Sequence, residues 1–495
     1  MPLAAAVVAV LLGVTACSGA SPPRRTASPS ASHPTASPTV AENARPGTAA
    51  WRITRRGPAG AVEGFADHTS VRPGESFRLY VSTTARGLTA AAYRVGWYGG
   101  RQGRLVWRSG PVAGRRQPTA RVSARLHTVS APWRPSLTVP TTGWPEGDYL
   151  VKLTSERGYQ SYVPITVRSA SMRGKVVLLN SVATWEAYNT WDGYDLYTGP
   201  HGFADRSRAV SFDRPYDRAG IARFLSFERP AVVLAERLGL HLAYLTDTDL
   251  ARQPGVLDGA RALVTLGHAE YWSLAMRSEV TRARDAGTNV AFLGANAVNR
   301  HVRFGSSALG PMRVVICYKS AGEDPDARTR PADSTQDWRL PPDPRPESAL
   351  LGLLYDCFPA NAPYVVTDPG NWLFAGTGAR RGTRFPGLVG PETDRLDLKD
   401  PTPRPLEVLA ATSLSCGGRA TWADSAYYTT RSGAGVVDVG TMRWVPALGH
   451  SHRVSPAAWR FVARVTTTLL RAFAAGPCGR THPAHDDARR YAHGL

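Results

Sequence analysis

Lysine is nearly absent: of 59 basic residues only Lys152, Lys175, Lys319 and Lys399 are lysines, so arginine carries almost all of a formal charge of +20. The arginines are scattered and form no basic stripe interleaved with aromatics, which argues against a nucleic-acid partner. Long apolar runs are missing after residue 16, which excludes an internal membrane span by the usual length of about 18–20 residues. Cysteine is scarce, with five in 495 residues. None sits at CxxC spacing and none follows a strand-to-helix elbow, so metal-finger and nucleophile readings rank below a structural one.

The start of the chain has the pattern of an export signal. Leu3 to Ala16 is apolar and of signal-peptide length, and Val14-Thr15-Ala16-Cys17 is similar to a lipobox. The expectation is a signal over 1–17 and an extracytoplasmic protein whose only membrane link is a lipid on Cys17. Plain secretion is the alternative, because Met1-Pro2-Leu3 carries no positive charge. Residues 18–50 are rich in Ser, Pro, Thr and Ala and are expected to form a disordered tether. Cys317, Cys357, Cys416 and Cys478 then lie in an oxidising compartment; of three connectivities the favoured one pairs Cys317 with Cys357 and Cys416 with Cys478. The sequence leaves the oligomeric state open.

Length implies two folded parts. Over 51–170 short alternating segments recur between turn signals: Phe77 to Val81, Ala90 to Tyr98, Arg104 to Trp107, Tyr149 to Leu153 and Ser161 to Val167. Such spacing is expected of an immunoglobulin-like β-sandwich. Over 171–476 the pattern becomes strand-then-helix, with continuous apolar strands at Lys175 to Leu179, Ala262 to Leu266, Asn289 to Leu293 and Gly435 to Gly440. Helices are expected at Pro230 to Leu238, Leu274 to Ala286, and from Ser455-Pro456 to Gly476. An α/β core with a mostly parallel sheet follows, and 477–495 is a C-terminal tail.

Chemistry concentrates where those strands end, the place where open α/β sheets bind ligands. After Leu266 come Gly267-His268-Ala269-Glu270-Tyr271-Trp272; in extended backbone His268 and Glu270 point to one side and share a pocket. After Leu179 comes an aromatic-rich stretch from Asn180 to Tyr197. Tyrosine ligates a metal only if the cation is acidic enough to displace a phenolic proton of pKa about 10, as ferric iron is. Unaided, His268 and Glu270 read as a satisfied loop pair and the tyrosines as core or sugar-stacking aromatics.

The segments Trp185-Glu-Ala-Tyr188-Asn189, Leu196-Tyr197, Arg208-Ala-Val-Ser211-Phe-Asp-Arg-Pro215, Gly267 to Trp272, Gly294-Ala-Asn296-Ala297 and Gly390-Pro-Glu392-Thr-Asp394-Arg395 together resemble the C-terminal family of the N,N-dimethylformamidase large (beta) subunit, over roughly 172–476. The resemblance implies a glutamine-amidotransferase-like α/β core lacking the amidotransferase cysteine. It also implies a mononuclear iron, as Fe(III), with zinc a less favoured substitute, held by Tyr188, Tyr197 and Glu270, with Tyr194 the rival of Tyr197. His268 and Glu392 become the catalytic candidates beside the metal.

The implied reaction is hydrolysis of a C–N bond in a linear amide, the substrate being a small molecule or a cell-envelope component. Glu392 would move the water proton and His268 would stabilise the oxyanion. The rival expectation is a non-catalytic carbohydrate or cell-wall binding lipoprotein, in which Trp97, Tyr98, Trp107, Trp185 and Trp191 stack on sugar rings.

Overall fold

The computed structural model describes residues 37–492; the signal segment and Cys17 lie outside them. The alternating segments of the N-terminal part form two sheets. One has three strands, Val62–Ala66, Ser76–Thr83 and Leu137–Pro140; the other has six, with Gly147–Ser155 between Gln160–Val167 and Gly87–Val95. Tyr149, Val151 and Leu153 point to one face and pack with Phe77, Leu79, Val81 and Val139 of the facing sheet. Leu150 alternates to the other face, where it joins Tyr93, Val95 and Tyr162 in the core of the C-terminal part. The six-stranded sheet is therefore buried on both faces, in keeping with the unbroken apolar run Tyr149-Leu150-Val151 in its central strand.

Most polar groups sealed into this seam are paired, although Asp148 Oδ2 and Asn180 Oδ1 are buried without a partner. Arg94 meets Glu236 at 2.6 Å with both side chains buried, Arg168 and Ser70 each meet Asp249 at 2.7 Å, and Asn180 donates to Asp148. Residues 37–492 form one compact unit.

The C-terminal part is built on a seven-stranded sheet in the order Leu242–Thr246, Val176–Asn180, Ala262–Thr265, Asn289–Phe292, Gly435–Asp438, Arg419–Thr429, Leu406–Cys416. The first five strands run parallel and the last two pair antiparallel. The chain enters at Val176–Asn180, steps outward to Leu242–Thr246, then crosses back to Ala262–Thr265. That reversal is a topological switch point, and both chemistry-bearing loops leave the strands that flank it. The long C-terminal helix Pro456–Ala475 starts as its Ser455 cap and Pro456 dictate. A second, four-stranded sheet includes the hairpin Arg300–Ser307 and Gly310–Ile316.

Two expectations are corrected. The tether does not extend to residue 50: Pro38–Asn43 is a helix whose Glu42 meets Arg104 at 2.6 Å and Tyr98 at 2.7 Å, so this polar segment is ordered by docking instead of by a core of its own. The disulfide is Cys357–Cys416, with Cα atoms 5.8 Å apart, and Cys317 and Cys478 are buried free thiols. The hairpin that turns after Cys416 lies against the strand Leu354–Cys357, where Arg419 and Thr421 both donate to Asp356. No helix among the described residues is long and apolar enough to cross a membrane.

Candidate active site

Two loops and a short helix assemble the site at the switch point. The helix Val182–Ala187 caps off at Tyr188, and its Thr184 hydroxyl accepts from the Glu270 backbone N–H at 3.1 Å, fastening one loop to the other. Gly267 (φ 56) lets the His268 loop turn sharply; a Cβ there would lie 2.1 Å from the Phe227 carbonyl oxygen, and one on Gly294 would lie 1.5 Å from the Gly267 carbonyl oxygen. Both glycines permit backbone approaches that no side chain allows. Beyond Tyr188, buried Arg214 holds the loop in shape by donating to Glu186 at 2.5 Å, to the Tyr194 carbonyl at 2.8 Å and to the Asn189 carbonyl at 2.9 Å. Asp195 accepts from the Tyr197 N–H at 2.7 Å.

The oxygens of Tyr188, Tyr197 and Glu270 converge. Tyr188 Oη donates to Glu270 Oε2 at 2.7 Å, Tyr197 Oη donates to Glu270 Oε1 at 2.7 Å, and the two phenol oxygens are 3.1 Å apart. Tyr271 Oη is 2.8 Å from Tyr197 Oη and accepts from Lys319 Nζ at 2.7 Å. On the other side His268 Nε2 lies 3.5 Å from Glu270 and 3.3 Å from Glu392, yet it is buried with no hydrogen-bond partner. Asn296, at φ 57, donates its side-chain amide to Glu392 at 2.8 Å and its backbone N–H to Asp394 at 2.8 Å.

Burial, and next the charge of Glu270, push the phenols of Tyr188, Tyr197 and Tyr271 well above their ordinary range. Burial acts on Glu270 in the same direction, but Lys319, His268 and Arg300 outweigh it and hold that carboxyl below its ordinary value. Burial and the neighbouring Arg300 push Lys319 down to about 8. The site is thus a carboxylate among neutral phenols, ringed by cations.

A family model, described as N,N-dimethylformamidase beta subunit-like, C-terminal, matches residues 89–455. The chain belongs to that family. The match begins inside the strand Gly87–Val95, well before the expected limit near residue 172, in keeping with a six-stranded sheet that shares its core with the C-terminal part. No curated protein matches. Among solved structures, a cycloisomaltooligosaccharide glucanotransferase from Paenibacillus sp. complexed with cycloisomaltoheptaose aligns at 9% identity over 54% of this chain and 36% of that chain, with a TM-score of 0.15. This chain therefore spans about a third of that structure, and so low a score carries no argument.

Within the family segment the structure brings together all five residues singled out from the sequence, Tyr188, Tyr197, Glu270, His268 and Glu392. Tyr194 stands apart, its ring 5.8 Å from that of His127. Sequence reading missed the roles of Tyr271, Lys319, Arg300 and Asn296. Lys319 had a signal: a lysine kept in a chain that otherwise uses arginine. Of the aromatics offered for sugar stacking, Tyr98 and Trp185 are core residues, whereas Trp97 and Trp191 line cavities.

Among the described residues no group of three His, Cys, Asp or Glu side chains is placed to hold a metal ion. The expected ligand set is of another kind, two phenols and one carboxylate, and its three residues are in mutual hydrogen-bond contact. A trivalent cation suits that donor set, because it is acidic enough to displace the two phenolic protons. His268 Nε2, buried and unpartnered, marks the adjoining place for a further polar group.

Proposed function

We propose that the chain is an exported, metal-dependent hydrolase that cleaves the C–N bond of a linear amide. Family membership supports a dimethylformamidase-like hydrolase, and the convergence of Tyr188, Tyr197 and Glu270 on one point carries the finer reading. Those three residues would hold a mononuclear iron, with zinc as the substitute. When bound, the metal supplies Lewis acidity toward a carbonyl oxygen and toward water.

The chain's own groups do the rest. Glu392, oriented by Asn296 Nδ2, accepts a proton from the attacking water and returns it to the leaving amine. His268 Nε2 faces the same space with a donor position unused, and stabilises charge developing on the carbonyl oxygen. Lys319 and Arg300 keep Glu270 ionised.

The glutamine-amidotransferase-like core and the immunoglobulin-like sandwich belong to the same proposal, supported by the parallel five-strand order and by the facing sheets. Export with a lipid on Cys17 is supported by the disulfide, which persists in oxidising compartments. Mass spectrometry of the mature N-terminus tests it, and an unmodified terminus beyond Cys17 leaves only secretion.

For the site, elemental analysis and a visible spectrum are the test. Two phenolates on ferric iron give a charge-transfer band, which filled-shell zinc cannot. Glu270→Ala is expected to abolish both metal and band. A well-folded protein that takes up no metal after ferrous loading and reoxidation sinks the proposal.

A further inference from the structure

A second cavity, remote in chemistry from the tyrosine cluster, lies in the seam between the two parts of the molecule. Its volume is about 250 Å³. Arg52 and Trp97 reach it from the N-terminal part, Arg229 and Arg237 from the two ends of the helix Arg229–Arg237, and Trp459 from the C-terminal helix. No Asp or Glu lines it.

The three guanidiniums share one cavity without a counter-charge; Arg52 and Arg237 are exposed and Arg229 is part-buried. None of them forms an ion pair among the described residues. Arg229 is the telling case. Its Nε donates to the Leu225 carbonyl at 3.2 Å and its Nη1 to Gln102, both neutral acceptors, while burial and the neighbouring charge of Arg52 push its pKa down to about 10. A part-buried guanidinium beside another cation, held by neutral acceptors and by the Trp51 ring 5.2 Å from it, is further stabilised when an anion joins it.

Arg237 is held differently, with its guanidinium 4.8 Å from the centroid of Trp97. A stacked guanidinium keeps its plane fixed and its edge N–H groups free to donate. The two helix ends are about 12 Å apart at 1.5 Å per residue, so the positive charge is spread along the cavity and matches a ligand longer than a bare ion. Trp459, against which the cavity-lining His450 packs with ring centroids 4.2 Å apart, adds an aromatic wall on which a sugar ring can pack.

We propose that this cavity binds a small phosphate ester of a sugar or polyol, with the phosphate against Arg229 and Arg52 and the hydroxylated part between Arg237 and Trp459. Phosphate is the fitting anion because its oxygens accept the paired N–H groups of a guanidinium, and the cavity is near the lower end of the roughly 300–1,000 Å³ typical of ligand pockets.

Titration of the full chain with glucose 6-phosphate, inorganic phosphate and glucose, followed by calorimetry and tryptophan fluorescence, tests this. Saturable binding of glucose 6-phosphate is expected, weakened by added salt, with inorganic phosphate weaker and glucose undetectable. Arg229→Gln and Arg237→Gln are each expected to weaken it by about 10-fold or more, the effect of losing one charge-assisted hydrogen bond. Arg237 is exposed, so its replacement keeps the test valid even if Arg229→Gln disturbs folding. Absence of saturable binding, glucose binding as tightly as its phosphate, inorganic phosphate binding equally well, or binding unchanged in Arg237→Gln would each overturn the proposal.

Discussion

Glu392 and Glu270 are both carboxylates in one pocket, and their surroundings separate their roles. Glu270 accepts from two phenols and is held low by Lys319, His268 and Arg300, the setting of a permanent anion. Glu392 accepts from Asn296 Nδ2 and lies 3.3 Å from His268 Nε2, with no phenol hydrogen-bonded to it among the described residues. Under the proposed function Glu392→Gln is expected to keep metal content unchanged and to lower turnover by about 10²–10⁴-fold, the usual worth of a general base. Metal lost in parallel with activity would place Glu392 among the ligands instead. The cysteines give a second residue-level test. Burial pushes the Cys317 thiol up and that of Cys478 up to about 11, so both are thiols at neutral pH and inaccessible. Alkylation of the native protein is expected to label neither, denaturation without reductant to expose both, and only reduction to expose Cys357 and Cys416. Labelling of Cys357 before reduction would disprove the disulfide.

At the scale of elements, strands were legible in sequence where apolar residues run without interruption, as from Val176 to Leu179 and from Ala262 to Val264, because burial on both faces leaves no other composition possible. Tyr188, Tyr197, His268, Glu270 and Glu392 were legible through the family resemblance of the segments that carry them, since the residues unaided read as a loop pair and as core aromatics. Lys319 and Arg300 were not, since they flank a hairpin, Arg300–Ser307 and Gly310–Ile316, some 30–50 residues beyond Glu270, and no local pattern ties that hairpin to the Glu270 loop. The disulfide was misread for the same reason: the proximity of Cys357 to Cys416 depends on the long antiparallel hairpin that closes the seven-stranded sheet, and no local pattern announces it.

The seam between elements carries its own prediction. Asp148, on the strand Gly147–Ser155, accepts from Asn180 at the end of the first α/β strand and from Thr166. Burial raises its pKa to about 6, more than those hydrogen bonds lower it. The folded state therefore keeps a proton that the unfolded state loses near pH 4. The associated stability is fully present below pH 3.8 and is lost as pH rises through about 6. Asp148→Asn removes this slope and is expected to stabilise the protein at pH 7 by up to about 3 kcal/mol, at 1.36 kcal/mol per pKa unit. Denaturant melts at pH 5 and pH 8 decide it: an unaltered difference between the two pH values in the variant would assign the slope to another group.

For the molecule as a whole, the question is whether the sandwich is a separable domain. Turn spacing and the change of pattern near residue 171 make it look like one. Against that, Tyr93, Val95, Leu150 and Tyr162 face away from the sandwich interior and into the core of the α/β part, and cutting the chain there would strand Arg94 without Glu236. Removing one partner of such a buried pair typically costs about 3–5 kcal/mol, before the exposed apolar face is considered. The connecting segment is pinned as well: the Ser169 N–H donates to the Tyr244 carbonyl at 3.0 Å and its hydroxyl donates to Glu146 at 2.5 Å. Residues 37–492 are accordingly expected to unfold in one cooperative step despite their length, with calorimetric and van't Hoff enthalpies in agreement and with fluorescence and far-ultraviolet dichroism tracing the same curve. Limited proteolysis of the native protein should yield no cut between residues 168 and 175. Two resolved transitions, or a stable fragment ending in that segment, would show that the seam is a docking surface between independent domains and not part of a shared core.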